Sequence, residues 1–195
     1  EIEDNIKLVN ATNPNIETIR KSIIPTQLCQ VKTNTNYAPD FGIFEVGRVV
    51  EGLKENGLCN ERKKLAITLF SKTKTMEALY FELRDILATV TGDLRHLELS
   101  YKAIEATRSY EHPRNLNAII LDGKEIGEIG IVHPVVSKKV DKKANIVYAE
   151  IDVKDFAEAV ADSIKYEEPS KFPGIEIDLS FISDKFAPIG KAIED

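Results

Sequence analysis

The most constraining feature of the sequence is a pair of apolar runs, "NAIIL" and "EIGEIGIV", separated by the short link Asp122-Gly123-Lys124. Asp-Gly between two strand-like runs is a strong signal for a tight hairpin, so the two runs are expected to lie antiparallel. Other segments follow the same logic. "LELSYKA" alternates, placing Leu97, Leu99, Tyr101 and Ala103 inward and Glu98, Ser100 and Lys102 outward. "VEGLKENGLCNERKK" is a polar, glycine-containing connection of hairpin type that leads into the apolar run "LAITLF". Phe44 to Val50 is apolar on both faces, with Phe44, Val46 and Val50 on one and Ile43 and Val49 on the other; such a run is expected to be central and buried. "IKLVN" and "ANIVYAEI" are further strand candidates. Strands joined by hairpins, without regular βαβ alternation, point to an α+β fold: an antiparallel β-sheet flanked by helices.

Helices are legible at three places. Met76 to Thr91 carries Met76, Leu79, Tyr80, Leu83, Ile86, Leu87 and Val90 at spacings of three and four, with Gly92 as the stop. Pro25 suits the first position of a helix over "PTQLCQVKTN". Asp152 can cap a helix whose Val153, Phe156, Ala157, Val160 and Ile164 share a face. "KYEEPSKFP", 165–173, is polar with two prolines and reads as a linker; after it "IEIDLSFI" alternates, with Ile175, Ile177, Leu179 and Phe181 on one face. The expected organisation is a domain over 1–164, a linker over 165–173 and the truncated start of a second domain over 174–195. The chain begins without Met and ends on "GKAIED", as expected of a piece of a longer protein.

A formal net charge of -6 argues against a generic basic coat for nucleic acid, but not against a local RNA contact. Two distant cysteines, Cys29 and Cys59, suggest neither a disulfide framework nor a zinc site, and make the reducing cytoplasm the default expectation. No apolar run reaches the ~18 residues of a membrane span.

Candidate chemistry is sparse. Gly123, Gly127 and Gly130 fall on a hairpin, whereas a phosphate loop should follow a strand and open a helix, so strand glycines at a bulge or close approach are the better reading. His96, His112 and His133 are too dispersed to suggest a metal site. Lys138, Lys139, Lys142 and Lys143 are candidates for touching an RNA backbone, or simply form a solvated face. Arg108 and Arg114, close to Tyr110 and His112, could help to stack a base or belong to an edge-strand surface. No nucleophile arrangement is visible from spacing.

Several phrases, in order, resemble the β subunit of phenylalanyl-tRNA synthetase in its catalytic-like module: "VNATNPNIETIRKSIIPTQLCQVKTN", "FGIFEVGRVV", "YFELRDIL", "HPRNLNAIILDGKEIGEIGIVHPVV" and "VYAEIDV". The resemblance spans about Ile6 to Ile164. "KFPGIEIDLSFI" resembles the first strand of the ferredoxin-like anticodon-binding domain of bacterial-type β subunits, with Glu176 and Ile177 where that family carries a basic pattern. What the resemblance implies is the fold of a class II aminoacyl-tRNA synthetase core. In that fold an arginine at a strand exit (motif 2) holds the ATP α-phosphate and the amino-acid carboxylate, and a glycine-rich strand running into a helix with an arginine (motif 3) admits ATP. Here Glu51 falls where the motif 2 arginine belongs, Arg48 lies too far back in the strand to replace it, and "VYAEIDVKDF" has neither glycine nor arginine.

The implied module is therefore non-catalytic, with no cofactor of its own, inside an enzyme that uses ATP and magnesium. The implied partners are a catalytic α subunit, two α and two β chains together, and tRNA(Phe); there is no membrane partner. Ile16, Arg20, Leu28 and Val31 are the candidate α-subunit contacts. Two competing readings are a free-standing synthetase-like paralogue that binds RNA or regulates, and an unrelated α+β scaffold.

Overall fold

Asp122 and Gly123 both adopt positive φ, 50° and 73°, the mirror-image turn whose twist matches that of paired strands. They join β4 (Glu111–Leu121) to β5 (Lys124–Val132) antiparallel, as expected. This computed structural model describes residues 6–13, 17–93 and 96–159, together with 178, 180 and 182. The chain divides into two compact units, Glu1–Ser163 and Ile164–Asp195, and the architecture below is that of the first. Ile16, Val160, Ile164, the linker over 165–173 and the apolar residues of the strand expected after it lie outside the described residues.

The elements in chain order are α1 (Ile24–Asn34), β1 (Asp40–Leu53), β2 (Cys59–Ser71), α2 (Met76–Ala88), β3 (Leu99–Ala103), β4, β5, α3 (Pro134–Val140), β6 (Asn145–Asp152) and α4 (Val153–Glu158). The strands form one six-stranded sheet in the order β1-β2-β6-β5-β4-β3, with every neighbouring pair antiparallel. β1–β2 is a hairpin and β3–β4–β5 a meander; β6 enters last and closes the gap between them. That position explains its composition. Both faces of β6 are covered, and it is buried from Ile146 to Asp152.

Alternation along β6 feeds two cores. Val147, Ala149 and Ile151 face α2, where they meet Leu79, Leu83 and Leu87 together with Ile67, Leu69 and Ile129. Ile146 and Tyr148 face α1, where they meet Ile23, Ile24, Leu28 and Val31 with Ala66, Phe70 and Leu116. Each fully buried leucine of α2 contributes roughly 1.5–3 kcal/mol relative to exposure. Thr75 starts α2 by accepting the amide of Ala78 at 3.2 Å, and Asp152 starts α4 by accepting those of Lys154 and Asp155, as expected.

Four expectations need correction. The run Phe44 to Val50 is not central: β1 is an edge strand, Phe44 is 77% exposed and Val46 half exposed, while Val49 and Val50 are buried. A two-faced apolar pattern marks a central strand only where both faces are covered along its length; Phe44 instead borders an open apolar cavity shared with Leu65, Ile67, Ile86 and Val90. Ala103 is exposed rather than inward, because it ends the opposite edge strand, β3. The regular part of α2 stops at Ala88, and a π turn over Thr89–Asp93 carries Gly92 inside it. His133-Pro134, expected to end a strand, also opens a helix: the His133 ring accepts the amide of Val135 and Pro134 occupies the first turn of α3. Among the described residues, no helix is long and apolar enough to cross a membrane.

Candidate functional site

Charged side chains on inward-facing strand positions create a strongly polar site among the described residues. Arg62 and Lys64 share the parity of Ala66 and Thr68 on β2; Glu150 and Asp152 share that of Tyr148 on β6; Glu128 shares that of Gly130 on β5. The pleat therefore delivers five charges to one end of the α1-bearing face. There they line a cleft of about 220 Å³, joined by Glu51 from β1, Arg108 from the β3–β4 loop, and Glu125 and Asp155.

The cleft holds six carboxylates against three cationic side chains, and each cation is already engaged. Lys64 Nζ lies 3.1 Å from Glu51 and 3.6 Å from Glu150. Arg62 reaches Glu51 at 3.6 Å and Asp152 at 3.7 Å. Arg108 donates to Glu128 at 2.7 Å, to Glu111 at 3.2 Å and to the Tyr110 hydroxyl at 3.0 Å. Glu150 also accepts the amide of Ile23 at 2.7 Å and the hydroxyl of Ser22 at 3.1 Å, which ties the segment before α1 to the sheet. The Tyr110 hydroxyl donates to the same Ser22 oxygen at 3.3 Å, so the network is continuous from β1 to the β3–β4 loop.

Glu128 stands directly opposite Glu150 in the β5–β6 register, an unfavourable like-charge pair. Burial pushes the Glu128 carboxyl up to about 7; Arg108 works against that rise, and Glu111 and Glu150 add to it. Carboxylates outnumber cationic side chains two to one in the cleft, and all three cations are engaged by carboxylates. Among the described residues no group of three or more His, Cys, Asp or Glu side chains is placed to hold a metal ion.

Gly127 and Gly130 are strand glycines. A Cβ on Gly127 would stand 2.1 Å from the carbonyl oxygen of Glu150, and one on Gly130 would stand 2.8 Å from Leu116. Both serve close packing beside the cleft.

The sequence-predicted residues separate in space. Glu51 and Arg108 meet in the cleft. Arg20 forms an ion pair with Glu45 and donates through Nε to the Arg48 carbonyl. Leu28 and Val31 are buried against the sheet, so a contact through α1 has to use the opposite side of the helix, where Thr26, Cys29, Gln30 and Thr33 are exposed. Lys138 and Lys139 on α3, and Lys142 and Lys143 just after it, are all exposed. Arg114 is exposed at the β4 irregularity, on a different cavity from Arg108. Sequence reasoning missed Arg62, Lys64 and Glu128. For Glu128 the signal was available, a charge at the core-facing parity of a largely apolar strand, whereas Arg62 and Lys64 sit in the polar arm of β2 and gain their place only through register.

Comparison with known proteins identifies the family of the chain. Residues 1–153 match the family described as "Phenylalanyl tRNA synthetase beta chain CLM domain". Phenylalanine–tRNA ligase beta subunits are similar over nearly the whole chain. That of Aquifex aeolicus is 27% identical over 97% of this chain and 24% of its own length. That of Syntrophus aciditrophicus is 26% identical over 92% and 24%, and that of Listeria innocua 28% identical over 86% and 22%. The chain thus spans about a quarter of the length of these relatives. With more than half of its residues matched, the chain belongs to the phenylalanyl-tRNA synthetase beta chain CLM-domain family.

Proposed function

We propose that this domain is a non-catalytic structural module of a phenylalanine–tRNA ligase β subunit, built on a class II synthetase core that has lost its chemistry. The observation that carries the reading is the cleft. Its two β2 cations are clamped by Glu51, Glu150 and Asp152, where a working class II site needs donors aimed at ATP. Loss of one preorganised transition-state donor typically costs about 10²–10³ in rate. Here the donors are neutralised and carboxylates stand in their place. The residues of the cleft do not fit ATP with magnesium. Both belong to the catalytic α subunit.

In this reading the module packs against the α subunit and supports aminoacylation of tRNA(Phe) by an assembly of two α and two β chains in the cytoplasm. The exposed side of α1 and the neighbouring edge strand β1 supply the contact. Phe44 and Val46 are exposed on β1, and Leu53 and Leu58 flank its turn, more apolar surface in one region than an isolated domain needs. The exposed lysines Lys138, Lys139, Lys142 and Lys143 are the candidates for touching the tRNA backbone. Arg108, held between Glu111 and Glu128, is not available for it.

ATP–pyrophosphate exchange by the chain alone tests the loss of chemistry: no exchange above background is expected, and detectable exchange overturns the reading. Mixing with the α chain on a sizing column tests the structural role. Co-elution is expected; separate elution at micromolar concentrations would favour a free-standing paralogue.

A further inference from the structure

A second cavity, of about 420 Å³, opens on the other face of the sheet between α2 and β4. Tyr80, Phe81 and Glu77 line it from α2, and Arg114, Asn115 and Asn117 from β4. Its size and its mix of aromatic surface with a few polar groups are those of a small-ligand site. Phe81 is half exposed on its wall. Tyr80 is held by the side-chain amide of Asn117, which donates to its hydroxyl at 3.0 Å and keeps its own carbonyl oxygen for other use.

Arg114 gives the cavity its direction. Among the described arginines, Arg20, Arg48, Arg62 and Arg108 are ion-paired, and Arg84 stacks on Tyr101 with its guanidinium carbon 4.4 Å from the ring centroid. The backbone amide of Arg114 donates to the His112 ring at 3.1 Å, and its guanidinium has neither a carboxylate nor a ring partner among the described residues. It is a fixed positive charge beside an aromatic wall, in a protein of net charge -6.

We propose that this cavity binds a nucleotide, one unstacked residue of a single-stranded RNA segment. The base stacks on Phe81, because every base offers a π face to an aromatic side chain. The amides of Asn115 and Asn117 hydrogen-bond its edge. Arg114 takes the phosphate in a forked, charge-assisted contact. Glu77 supplies only acceptors, which suit a ribose hydroxyl or an exocyclic amine and keep the phosphate at the Arg114 end. The inference does not depend on the emptied cleft and stands whether or not the domain meets an α subunit.

The test is binding of AMP, adenosine and ribose 5-phosphate, together with a labelled hexamer of single-stranded RNA, to the full chain. AMP is expected to bind better than either half-ligand and to compete with the hexamer. Phe81→Ala and Arg114→Gln are each expected to weaken AMP about ten-fold. Both residues are surface-exposed, and unchanged thermal melts will show that the variants fold. Four outcomes overturn the proposal. AMP fails to bind at millimolar concentration. The two variants bind as well as the parent. Lys138→Gln with Lys139→Gln abolishes hexamer binding while Phe81→Ala leaves it intact, which makes the contact general electrostatics elsewhere. Or Phe81→Ala releases the α subunit with no effect on AMP, which makes the cavity a protein contact.

Discussion

The carboxylate of Glu150 accepts the backbone amide of Ile23 at 2.7 Å, across 127 residues of sequence. Glu150 is 3% exposed, and its second oxygen faces Lys64. This strand carboxylate fastens the segment leading into α1. Glu150→Ala leaves a buried amide and a mostly buried ammonium without this partner. It is expected to cost about 3 kcal/mol in urea unfolding. Glu150→Gln keeps an acceptor for Ile23 and is expected to cost roughly half as much. If Glu150→Ala costs less than about 0.5 kcal/mol, the carboxylate does not anchor α1.

Glu128 makes stability depend on pH in an unusual direction. Its carboxyl is raised to about 7 from the model-compound value of 4.5, first by burial. The folded chain therefore holds this proton more tightly than the unfolded chain. Its contribution is full below about 4.5, shrinks as pH rises, and is lost above about 7. Glu128→Gln stays neutral throughout. Relative to this variant, the parent is expected to lose on the order of 2 kcal/mol between pH 4 and pH 8. Parallel stability curves for the two proteins would show that Glu128 is ionised normally beside Arg108.

Gly127 and Gly123 share one hairpin but have different reasons to be glycine. At Gly127 a Cβ would strike the Glu150 carbonyl oxygen and stand 2.8 Å from the Ile151 Cα, both parts of the backbone of the central strand. At Gly123 there is open space, and only the positive φ of 73° opposes a side chain. Gly127→Ala is expected to cost about 3 kcal/mol or more through overpacking, and Gly123→Ala about 1 kcal/mol. Melting temperatures of the two variants decide it; equal losses would mean that β5 and β6 separate without strain.

The hairpins, α2 and the antiparallel sheet were legible because each rests on local chemistry: a turn dipeptide, a 3.6-residue period, a strict alternation. The order of the strands was not. β1 and β6 are both apolar runs, and only the tertiary position of β6, inserted last between β2 and β5, makes it the buried one. The candidate site was half legible. Glu51 stood out because an arginine was expected there, whereas Arg62 and Lys64 read as part of a polar hairpin arm. Their importance depends on register, since Lys64 pairs with Asp152 and Ala66 with Glu150 across strands 80 or more residues apart. Leu28 and Val31 show the converse error. An apolar helix stripe next to an expected interface was assigned to the partner, when the sheet of the same domain already uses it.

Glu51→Arg places a guanidinium where the resemblance to a class II core expects one, and so tests the proposed loss of chemistry. In Glu51→Arg the new guanidinium replaces the carboxylate that lies 3.1 Å from Lys64 and 3.6 Å from Arg62. Three cations then crowd one end of the cleft, with Glu150 and Asp152 left to offset them. Glu51 is more than a third exposed, so solvent screens part of the repulsion and the expected loss of stability is about 1 kcal/mol. ATP binding is not expected to appear. The carboxylates of β6 still face the cleft, and Glu150 cannot turn away without releasing Ile23 and Ser22. Measurable ATP binding by Glu51→Arg would show that a single charge, rather than the rebuilt ion-pair network, keeps the nucleotide out.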